Sequence, residues 1–427
     1  MAALPERRLS AINQGMKSPR IPNRIKRFLH RVQLPEALAR SLRDPRKRKG
    51  RRWGFAYILD VFITAAIVQT TTMKGVEAVS ERMALRVPDS TLAYTFERTD
   101  PRPLRAVLRQ QIRSMLRAKT LRPVGLPMGV LAIDGKTVWT GAHRGDSACQ
   151  LQDDVWHLRA MRAVLTSAAS APCIDQDFIP PETNEMGHFP AFWRELTKTW
   201  KHTNLFEVVT LDAGYTSQSN AALIDGDGYG YVMRIKDTQP TLRAELERLL
   251  RPRVGQPDAV SPWERREGRE VQRRLFRTDA IAGWEGWAHL RQGWLVQTVV
   301  MHEDRREEVV MERWFVTNIP WGRLSVGQIL SVVRGHWGIE NDCNWTLDVV
   351  WGEDTRAWST NAKCVRGHHP LRLLSWLRLL GYNVVGWLRR VRLRSRPTWS
   401  ELRDALKRVL LPAPGELDLE VYFATLG

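Results

Sequence analysis

Apolar residues recur along this chain with two different periods. Helical spacing, with steps of three and four residues, covers residues 53–70, 73–83 and 104–117. Three short continuous apolar runs are instead typical of buried strands, namely residues 129–133 (GVLAI), 206–211 (FEVVTL) and 229–235 (YGYVMRI). The pattern therefore predicts an all-helical N-terminal part followed by a domain that contains a sheet.

The predicted strands alternate with helices in the middle of the chain. A further strand is predicted at residues 156–167, and helices are predicted at residues 191–200 and 219–224. Such alternation is typical of an α/β fold. Residues 238–325 break the rhythm, because after one helix they carry strand-like runs at 269–276, 293–302 and 313–317. We therefore predict a β-rich insertion within an α/β domain.

The predicted insertion is rich in tryptophan. It holds six of the 18 tryptophans of the chain, Trp263, Trp284, Trp287, Trp294, Trp314 and Trp321. Two interpretations stay open, since a tryptophan can fill a core or stack on an unpaired base. We assign most of them to the core and leave one or two as stacking platforms.

Residues 334–354 (RGHWGIENDCNWTLDVVWGED) are predicted to form a helix that runs into a short extended segment. The apolar positions Ile329 and Val333 continue through His336 to Glu340 at steps of four, three and four residues. These positions share one face of a helix, so we expect Glu340 to face the core. A carboxylate there requires a cation, a proton or a hydrogen-bond donor.

Two further helices are predicted at the C-terminal end of the chain. Residues 370–392 form an apolar run studded with arginine. Residues 398–410 begin with the pattern Thr398-x-x-Glu401, which is typical of a capping box.

The net charge of +19 is concentrated at both ends of the chain. Residues 1–52 carry a net charge of +13 and residues 366–400 carry +8, which leaves the remainder near neutral. Basic segments of this kind suit the phosphates of nucleic acid. A solubilising surface or a tail is the alternative interpretation. The run DPRKRKGRR supplies predicted DNA contacts at Arg46, Lys47, Arg48, Lys49, Arg51 and Arg52.

Cysteine content and hydropathy indicate the compartment. The four cysteines form no CxxC pair, which fits a reducing environment and argues against a zinc ribbon. The N-terminal residues lack the apolar stretch of a signal peptide, and the apolar run at residues 55–68 contains Asp60 and is too short to span a bilayer. We expect a cytoplasmic, nucleoid-associated protein with no membrane partner and no small-molecule substrate.

Three acidic residues stand out by their position. Asp134 and Asp212 follow predicted strands, and Glu340 lies on the predicted helix. If the two strands are neighbours, the aspartates meet at one edge of the sheet, and the helix can bring Glu340 across from them. Three adjacent carboxylates repel one another unless cations neutralise them. Carboxylate oxygens suit Mg²⁺ or Mn²⁺, and two such ions support phosphoryl transfer. The residues therefore predict a two-metal site that acts on DNA.

Several motifs of this chain are similar to those of a known family. They are DPRKRKGRR, LAIDGKT, ETNEMG, VVTLDAGYTSQSNAALI, YVMRIKDTQPTL, REGREVQRR, RWFVTNI and RGHWGIEN-x₃-WTLDVVWGED, in this order. On these motifs, nearly the whole chain resembles bacterial insertion-sequence transposases of the DDE type, in their H-repeat-associated branch. The last block is long and specific, which makes chance matching improbable.

The resemblance implies an RNase H-like catalytic core interrupted by the β-rich insertion. It also implies Mg²⁺-dependent DNA transposition by a dimer on paired element ends. In that reaction hydrolysis frees a 3′-OH at the element end, and this 3′-OH then attacks target DNA. Asp134, Asp212 and Glu340 match the catalytic and metal-binding triad of the family. Contacts to DNA are further predicted at Lys136, Lys236, Arg334, His336 and Asn341.

The implied organisation has six segments. They are a basic flexible arm (1–52), a helical module for DNA binding or dimer contacts (53–125), the first part of the RNase H-like core (126–237), the β-rich insertion (238–325), the second part of the core with the glutamate helix (326–365) and basic C-terminal helices (366–427).

The sequence also departs from the family pattern. A broader related group carries Tyr, Arg and Lys around its glutamate, where this chain has Val333, His336 and Leu347. The contacts of that group to a flipped base are therefore not carried over. Glu182 stands where the family often has lysine, and helix capping or packing is the alternative role of Arg334, His336 and Asn341. Two other functions stay open, a nuclease without strand transfer and an inactive DNA-binding relic.

Overall fold

The computed structural model describes residues 34–141, 149–266, 268–358, 370–393 and 397–411. Twelve α-helices lie within these ranges: α1 Leu34–Ser41, α2 Phe55–Ile67, α3 Met73–Met83, α4 Asp89–Arg98, α5 Leu104–Arg117, α6 Glu185–Trp200, α7 Gln218–Gly226, α8 Pro240–Leu250, α9 Val326–His336, α10 Trp345–Trp351, α11 Pro370–Trp387 and α12 Trp399–Leu410. Two π-helical turns accompany them, at Ile339–Asn344 and Leu388–Arg392. The predicted helices at residues 73–83 and 104–117 are confirmed at both ends.

Eleven strands lie within the same ranges. They are β1 Val130–Gly141, β2 Cys149–Gln152, β3 Val155–Val164, β4 Cys173–Phe178, β5 Val208–Leu211, β6 Gly230–Ile235, β7 Ala259–Val260, β8 Glu264–Arg266, β9 Arg269–Thr278, β10 Gln292–Met301 and β11 Glu307–Thr317. They form one mixed sheet in the order β2-β3-β1-β5-β6-β11-β10-β9-β7, while β4 pairs with β3 and β8 pairs with β9. The predicted α/β class is confirmed.

The chain divides into two compact units, a helical unit (residues 1–114 and 347–427) and a sheet unit (residues 115–346). Helix α2 lies at the centre of the helical unit, where Ile58, Val61 and Phe62 are fully buried. The indole N–H of Trp351 donates a 2.8 Å hydrogen bond to the carbonyl of Ala66, near the end of α2. The N-terminal and C-terminal helices, which the sequence treats as separate segments, therefore share one unit.

Helix α12 begins as its sequence predicts. The Thr398 hydroxyl accepts a hydrogen bond from the backbone N–H of Glu401, and the Glu401 side chain accepts one from the backbone N–H of Thr398. These two bonds satisfy donors that a helix N-terminus otherwise leaves unpaired, so the capping box is confirmed. No helix in the described ranges has both the length and the apolar character that crossing a bilayer demands.

The centre of the sheet unit is a group of three parallel strands. Ile133 of β1 lies opposite Leu211 of β5, which in turn lies opposite Met233 of β6. On the other side of β1, strand β3 is antiparallel and pairs with both β2 and β4. The register of the parallel strands determines which side chains meet where β5 ends.

Residues 238–325, predicted to be rich in strands, contain β7 to β11, and these strands continue the same sheet. Strand β11 is antiparallel to β6, with Trp314 opposite Ile235, and β10 and β9 follow. The tryptophans at 287, 294 and 314 are almost completely buried, in agreement with a core role. Trp321 is instead 46% exposed, and the guanidinium of Arg277 lies 3.8 Å from its ring centroid.

Helix α9 packs on the sheet through its apolar side. Ile329, Val332 and Val333 belong to a buried cluster that includes Val130 of β1 and Val208 of β5. Removing such side chains from water is favourable by roughly 1.5–3 kcal/mol each. This packing holds the end of α9 above the strands that lead to Asp134 and Asp212.

Two segments differ from expectation. Residues 34–41 of the predicted flexible arm form helix α1, because Leu34 and Leu38, one turn apart, are buried together with Leu42. Residues 1–33 lie outside the described ranges. The stretch 334–354, predicted to end in a short extended segment, instead contains helix α10, in which Leu347 and Trp351 take the buried positions at a spacing of four residues.

Candidate active site

Two aspartates lie beside each other where strand β5 ends. Because Ile133 is opposite Leu211 in the parallel pair of β1 and β5, Asp134 and Asp212 are the next residues on neighbouring strands. Strand β1 continues to Gly141 along β3, whereas β5 stops before Asp212. The two strands run side by side, which is the condition for the aspartates to meet, and the site opens at the point where β5 leaves the sheet.

Two cations of the chain hold the Asp212 carboxylate. The Arg234 guanidinium lies 3.2 Å from Oδ1, and the Lys236 ammonium lies 3.4 Å from Oδ2. Burial opposes ionisation, but the backbone N–H of Ala213 and the charges of Lys236 and Arg234 outweigh it. The pKa of Asp212 is therefore lowered, and this carboxylate stays ionised over a wide pH range.

Asp134 lies in the opposite electrostatic environment. Burial, followed by the negative charge of Glu340, raises the pKa of Asp134 to about 7, and Glu185 and Asp212 add to this effect. The backbone N–H of Gly135 opposes the shift but does not cancel it. Within the part of the chain that the structure describes, Asp134 forms no ion pair like those of Asp212 with Arg234 and Lys236.

Glu340 lies in the π-helical turn that follows α9. Glu340 is exposed to solvent, whereas Ile339 beside it is buried. Loss of hydration around the carboxyl and then the charge of Asp212 raise the pKa of Glu340, against the opposing influence of Arg234 and Arg313. Glu340 and the two aspartates therefore act on one another electrostatically.

The prediction that Glu340 faces the core is wrong. Helix α9 ends at His336, and the chain resumes as a π-helical turn after Gly338, so the predicted period of 3.6 residues breaks between His336 and Glu340. His336 keeps the buried position, and Ile339 takes the next one. The π-turn thereby turns Glu340 towards solvent, and π-helical turns are frequent at functional sites.

Two buried hydrogen bonds fix the glutamate turn from either end. The His336 Nδ1 atom lies 2.9 Å from the Thr210 hydroxyl of β5. The guanidinium of Arg162, on β3, donates a 3.2 Å hydrogen bond to the side-chain oxygen of Asn344. Since both contacts join the turn to strands of the sheet, they determine where Glu340 lies relative to Asp134.

Five DNA contacts were predicted in the sheet unit. Four of these residues are exposed or partly exposed, whereas the fifth, His336, is buried. Lys236 contacts Asp212, Asn341 is exposed, and Arg334 is exposed and forms a 2.5 Å ion pair with Glu264 of β8. Lys136 is partly exposed on β1. These four residues keep their predicted role as a hypothesis.

His336 requires a correction. It is only 4% exposed, and burial lowers its pKa to about 4, so the ring is neutral at physiological pH. A buried neutral ring that already pairs with Thr210 is not available to DNA. Its alternative role in packing therefore replaces the predicted contact.

The basic run of the helical unit also separates into two groups. The side chains of Lys47, Arg48, Lys49, Arg51 and Arg52 are exposed and keep their predicted role as a hypothesis. Arg46 is instead 4% exposed, and its guanidinium donates hydrogen bonds to Asp44 and to the carbonyl of Trp53 at 2.8 Å. The prediction of a DNA contact at Arg46 is therefore corrected to a structural role.

Four charged residues of the site escaped the sequence analysis, Arg159, Glu185, Arg234 and Arg313. Arg234 had a detectable signal, because strand alternation places it on the same face of β6 as Lys236. Arg313 reaches the site from the insertion, and its guanidinium lies 4.1 Å from the ring centroid of Trp337. Burial and the nearby Arg234 and Arg273 lower the pKa of Arg313.

The chemistry of the site suits a hard divalent cation, because carboxylate oxygens are the ligands that Mg²⁺ and Mn²⁺ prefer. A cation would also offset the repulsion that raises the pKa of Asp134. As the side chains stand, no three His, Cys, Asp or Glu residues in the described ranges lie close enough to hold one ion. Each oxygen of Asp212 has one cationic partner and keeps a further lone pair that could accept an ion.

A family model described as the transposase DDE domain matches residues 125–366, which include Asp134, Asp212 and Glu340. Two proteins of Escherichia coli (strain K12), the H repeat-associated putative transposase YhhI and the putative protein YbfL, are each 24% identical over 266 residues. Each alignment covers 60% of this chain and 64% of the relative, so the match spans less than two thirds of those proteins.

A solved structure is similar to the chain over most of its length. It is the cryo-EM structure of a piggyBac transposase synaptic complex with hairpin DNA. The superposition covers 96% of this chain and 83% of that chain, with a TM-score of 0.46 and 11% sequence identity.

Proposed function

Because the chain belongs to the family of transposases with a DDE domain, whose match spans more than half of its residues, we propose that it is a DNA transposase. In this proposal it cuts DNA at the ends of a mobile element and joins the freed 3′-OH to target DNA. The observation that carries the proposal is the mutual electrostatic influence of Asp134, Asp212 and Glu340 at the end of β5. A site of this kind is suited to an anionic substrate that arrives with cations.

The three carboxylates would hold two Mg²⁺ or Mn²⁺ ions. When bound, such ions stabilise the charge on the attacking and leaving oxygens of a phosphodiester. Asp212 is already ionised because of Lys236 and Arg234, and it is ready to act as a ligand. Asp134 and Glu340 lose their proton more readily once positive charge arrives, which couples ion binding to pH.

The cations around the carboxylates would receive the DNA backbone. Arg234, Lys236 and Arg313 all act electrostatically on Glu340. If Asp212 turns to an ion, Arg234 and Lys236 become available to a phosphate of the scissile strand. The guanidinium of Arg234 can then bind two phosphate oxygens at once, which orients the strand as well as neutralising it.

The strand arrangement supports the finer fold assignment. Three antiparallel strands, β1, β3 and β4, are followed along the chain by β5 and β6, which are parallel to β1. We assign this group of five to the RNase H-like core. The strands β9 to β11 then form the insertion, and the active unit is a dimer that holds two element ends.

Charge-neutral substitutions at the three acids test the proposal. Asp134→Asn, Asp212→Asn and Glu340→Gln should each lower cleavage of element-end DNA by at least about 100-fold, the loss typical when one stabilising group is removed. Binding of the same DNA, measured by gel shift with Ca²⁺, should stay largely intact. Asp237→Asn is the matched control, since Asp237 is exposed directly after Lys236.

The products of the reaction distinguish a transposase from the other functions. A pre-cut element end with a free 3′-OH should become joined to a target plasmid. Cleavage without joining would instead indicate a nuclease, and DNA binding without Mg²⁺-dependent cleavage would indicate an inactive relic. A triad variant that still cuts and joins DNA would remove that residue from the site.

A further inference from the structure

A fourth carboxylate lies against the strand that carries Asp134. Glu185 is the first residue of α6, after the helix cap Asn184. A Cβ atom placed on Gly135 would lie 2.2 Å from Oε1 of Glu185 and 2.4 Å from its carboxyl carbon. The absence of a side chain at Gly135 therefore allows the Glu185 carboxylate to lie directly over β1, one residue from Asp134.

A charged residue of the sheet holds Glu185 in this position. Arg159 of β3 holds it in the present arrangement, with Nη2 at 2.5 Å from Oε1, and a second nitrogen of Arg159 donates to the amide oxygen of Gln150 at 3.1 Å. Glu185 is thus presented to the site by one flexible ion pair.

An unpaired hydroxyl in the same place points to a missing oxygen ligand. Tyr215 is 2% exposed, and its hydroxyl has no hydrogen-bond partner among the described residues. Burial raises the pKa of this hydroxyl most, and the charges of Asp134, Glu185 and Asp212 raise it further. A buried donor beside three carboxylates gains a partner when a water or a phosphate oxygen enters with an ion.

We propose that Glu185 is a fourth carboxylate of the site and holds a divalent cation together with Asp134. The inference rests on the proposed function, because it assigns an additional ligand to the same ions. Arg159 supplies the positive charge to Glu185 in the absence of the ion, and Glu185 exchanges this partner when the cation binds. The Tyr215 hydroxyl then donates to an oxygen ligand at the same ion.

Binding of Mn²⁺ to the full-length protein without DNA tests the assignment. Free Mn²⁺ is measured by electron paramagnetic resonance for the wild type, Glu185→Gln, Glu182→Gln and Asp134→Asn. Glu185→Gln should raise the apparent Kd by about 10-fold or more, the loss found when a partner of a metal site is removed. Glu182→Gln is the matched control, since it makes the same charge change at an exposed position of the same segment.

Mn²⁺ binding by these four proteins also distinguishes the role of Glu185 from the existence of the proposed metal site. If Asp134→Asn weakens Mn²⁺ binding and Glu185→Gln binds like the wild type, the role of Glu185 is overturned while the proposed metal site stands. If Asp134→Asn binds like the wild type, the proposed metal site itself is overturned.

Cleavage assays add a second readout for Glu185. Glu185→Gln should need about 10-fold more Mg²⁺ for half-maximal cleavage and regain most of its rate at saturating Mg²⁺. A rate that stays low at every Mg²⁺ concentration would contradict a role in ion binding. Circular dichroism of each variant checks that the fold is intact.

Discussion

Asp134 and Asp212 carry the same side chain, yet their surroundings shift their pKa values in opposite directions. Arg234 and Lys236 contact Asp212 and help to lower its pKa, while burial and other carboxylates raise that of Asp134 to about 7. Groups with pKa values driven apart within one site are typical of catalytic centres. The difference follows from the register between β5 and β6, which places Arg234 and Lys236 beside Asp212.

The raised pKa of Asp134 predicts a stability effect that depends on pH. In the unfolded chain the group titrates near 3.8 and in the folded chain near 7, so between these values the folded state binds more protons. The free energy of unfolding should therefore fall as pH rises through this window. Asp134→Asn removes the cost of ionising this carboxyl in the folded state. At pH 8 without divalent ions, the variant should therefore be more stable than the wild type by roughly 1–4 kcal/mol.

Urea unfolding of the wild type and Asp134→Asn at pH 4.5 and pH 8, with EDTA present, checks this prediction. The buried His336, with its pKa near 4, acts in the opposite direction, because the folded state loses stability as pH falls from 6.5 towards 4. That contribution is common to both proteins and cancels in the difference. An equal difference at the two pH values would contradict the assigned environment of Asp134.

The glutamate turn shows how one irregular element sets the geometry of the site. Helix α9 is held by apolar packing, whereas the π-turn after it is held by the pairs His336–Thr210 and Arg162–Asn344. Arg162 is completely buried, so its hydrogen bonds are costly to lose. Glu340 projects from the turn between these two anchors.

The two asparagines of the turn provide a matched pair of variants. Asn344→Ala should lower the free energy of unfolding by about 1–3 kcal/mol, because it leaves the buried Arg162 without one acceptor. It should also reduce cleavage more than DNA binding, since Glu340 loses its anchor. Asn341→Ala, at an exposed position, should change stability by less than about 0.5 kcal/mol. Chemical denaturation measures the free energy of unfolding of both variants. Equal losses of stability would contradict the anchoring role of Asn344.

At the scale of the whole molecule, charge is distributed between two units, for which we propose different tasks. The sheet unit carries the acids and their neighbouring cations. The helical unit exposes the cations Lys47, Arg48 and Lys49, which suit phosphate contacts that do not depend on sequence. Catalysis and general DNA affinity should therefore respond to substitutions separately.

Salt dependence of DNA binding tests the second task. Each phosphate contact adds roughly 0.9 to the slope of log K against log salt, so replacing Lys47, Arg48 and Lys49 by glutamine should reduce the slope by up to about 3. Fluorescence anisotropy between 50 and 200 mM salt, the range over which phosphate contacts weaken most visibly, measures it. An unchanged slope would show that this run does not contact DNA.

Arg46 provides the control for that experiment. Its guanidinium is buried against Asp44 and Trp53. Arg46→Met should therefore lower the stability of the helical unit by about 1–3 kcal/mol, because it leaves buried acceptors unpaired. At a temperature where the variant is folded, its salt slope should match that of the wild type.

Features that depend on neighbouring residues could be predicted from the sequence, whereas features that depend on contacts between distant residues could not. The strands before Asp134 and Asp212, the helices α3 and α5 and the capping box of α12 follow from local periodicity and end signals. These elements were predictable because the information lies within a few neighbouring residues. The motifs around the three acids were sufficient for the family.

The sequence by itself determined the family of the chain and the strands that lead to Asp134 and Asp212. Only the tertiary structure decided that Glu340 leaves the apolar face, that Arg234 neutralises Asp212 and that Glu185 reaches Asp134 across Gly135. The physical reason is that register and packing join residues far apart along the chain. No local pattern of apolar and polar positions encodes those distances.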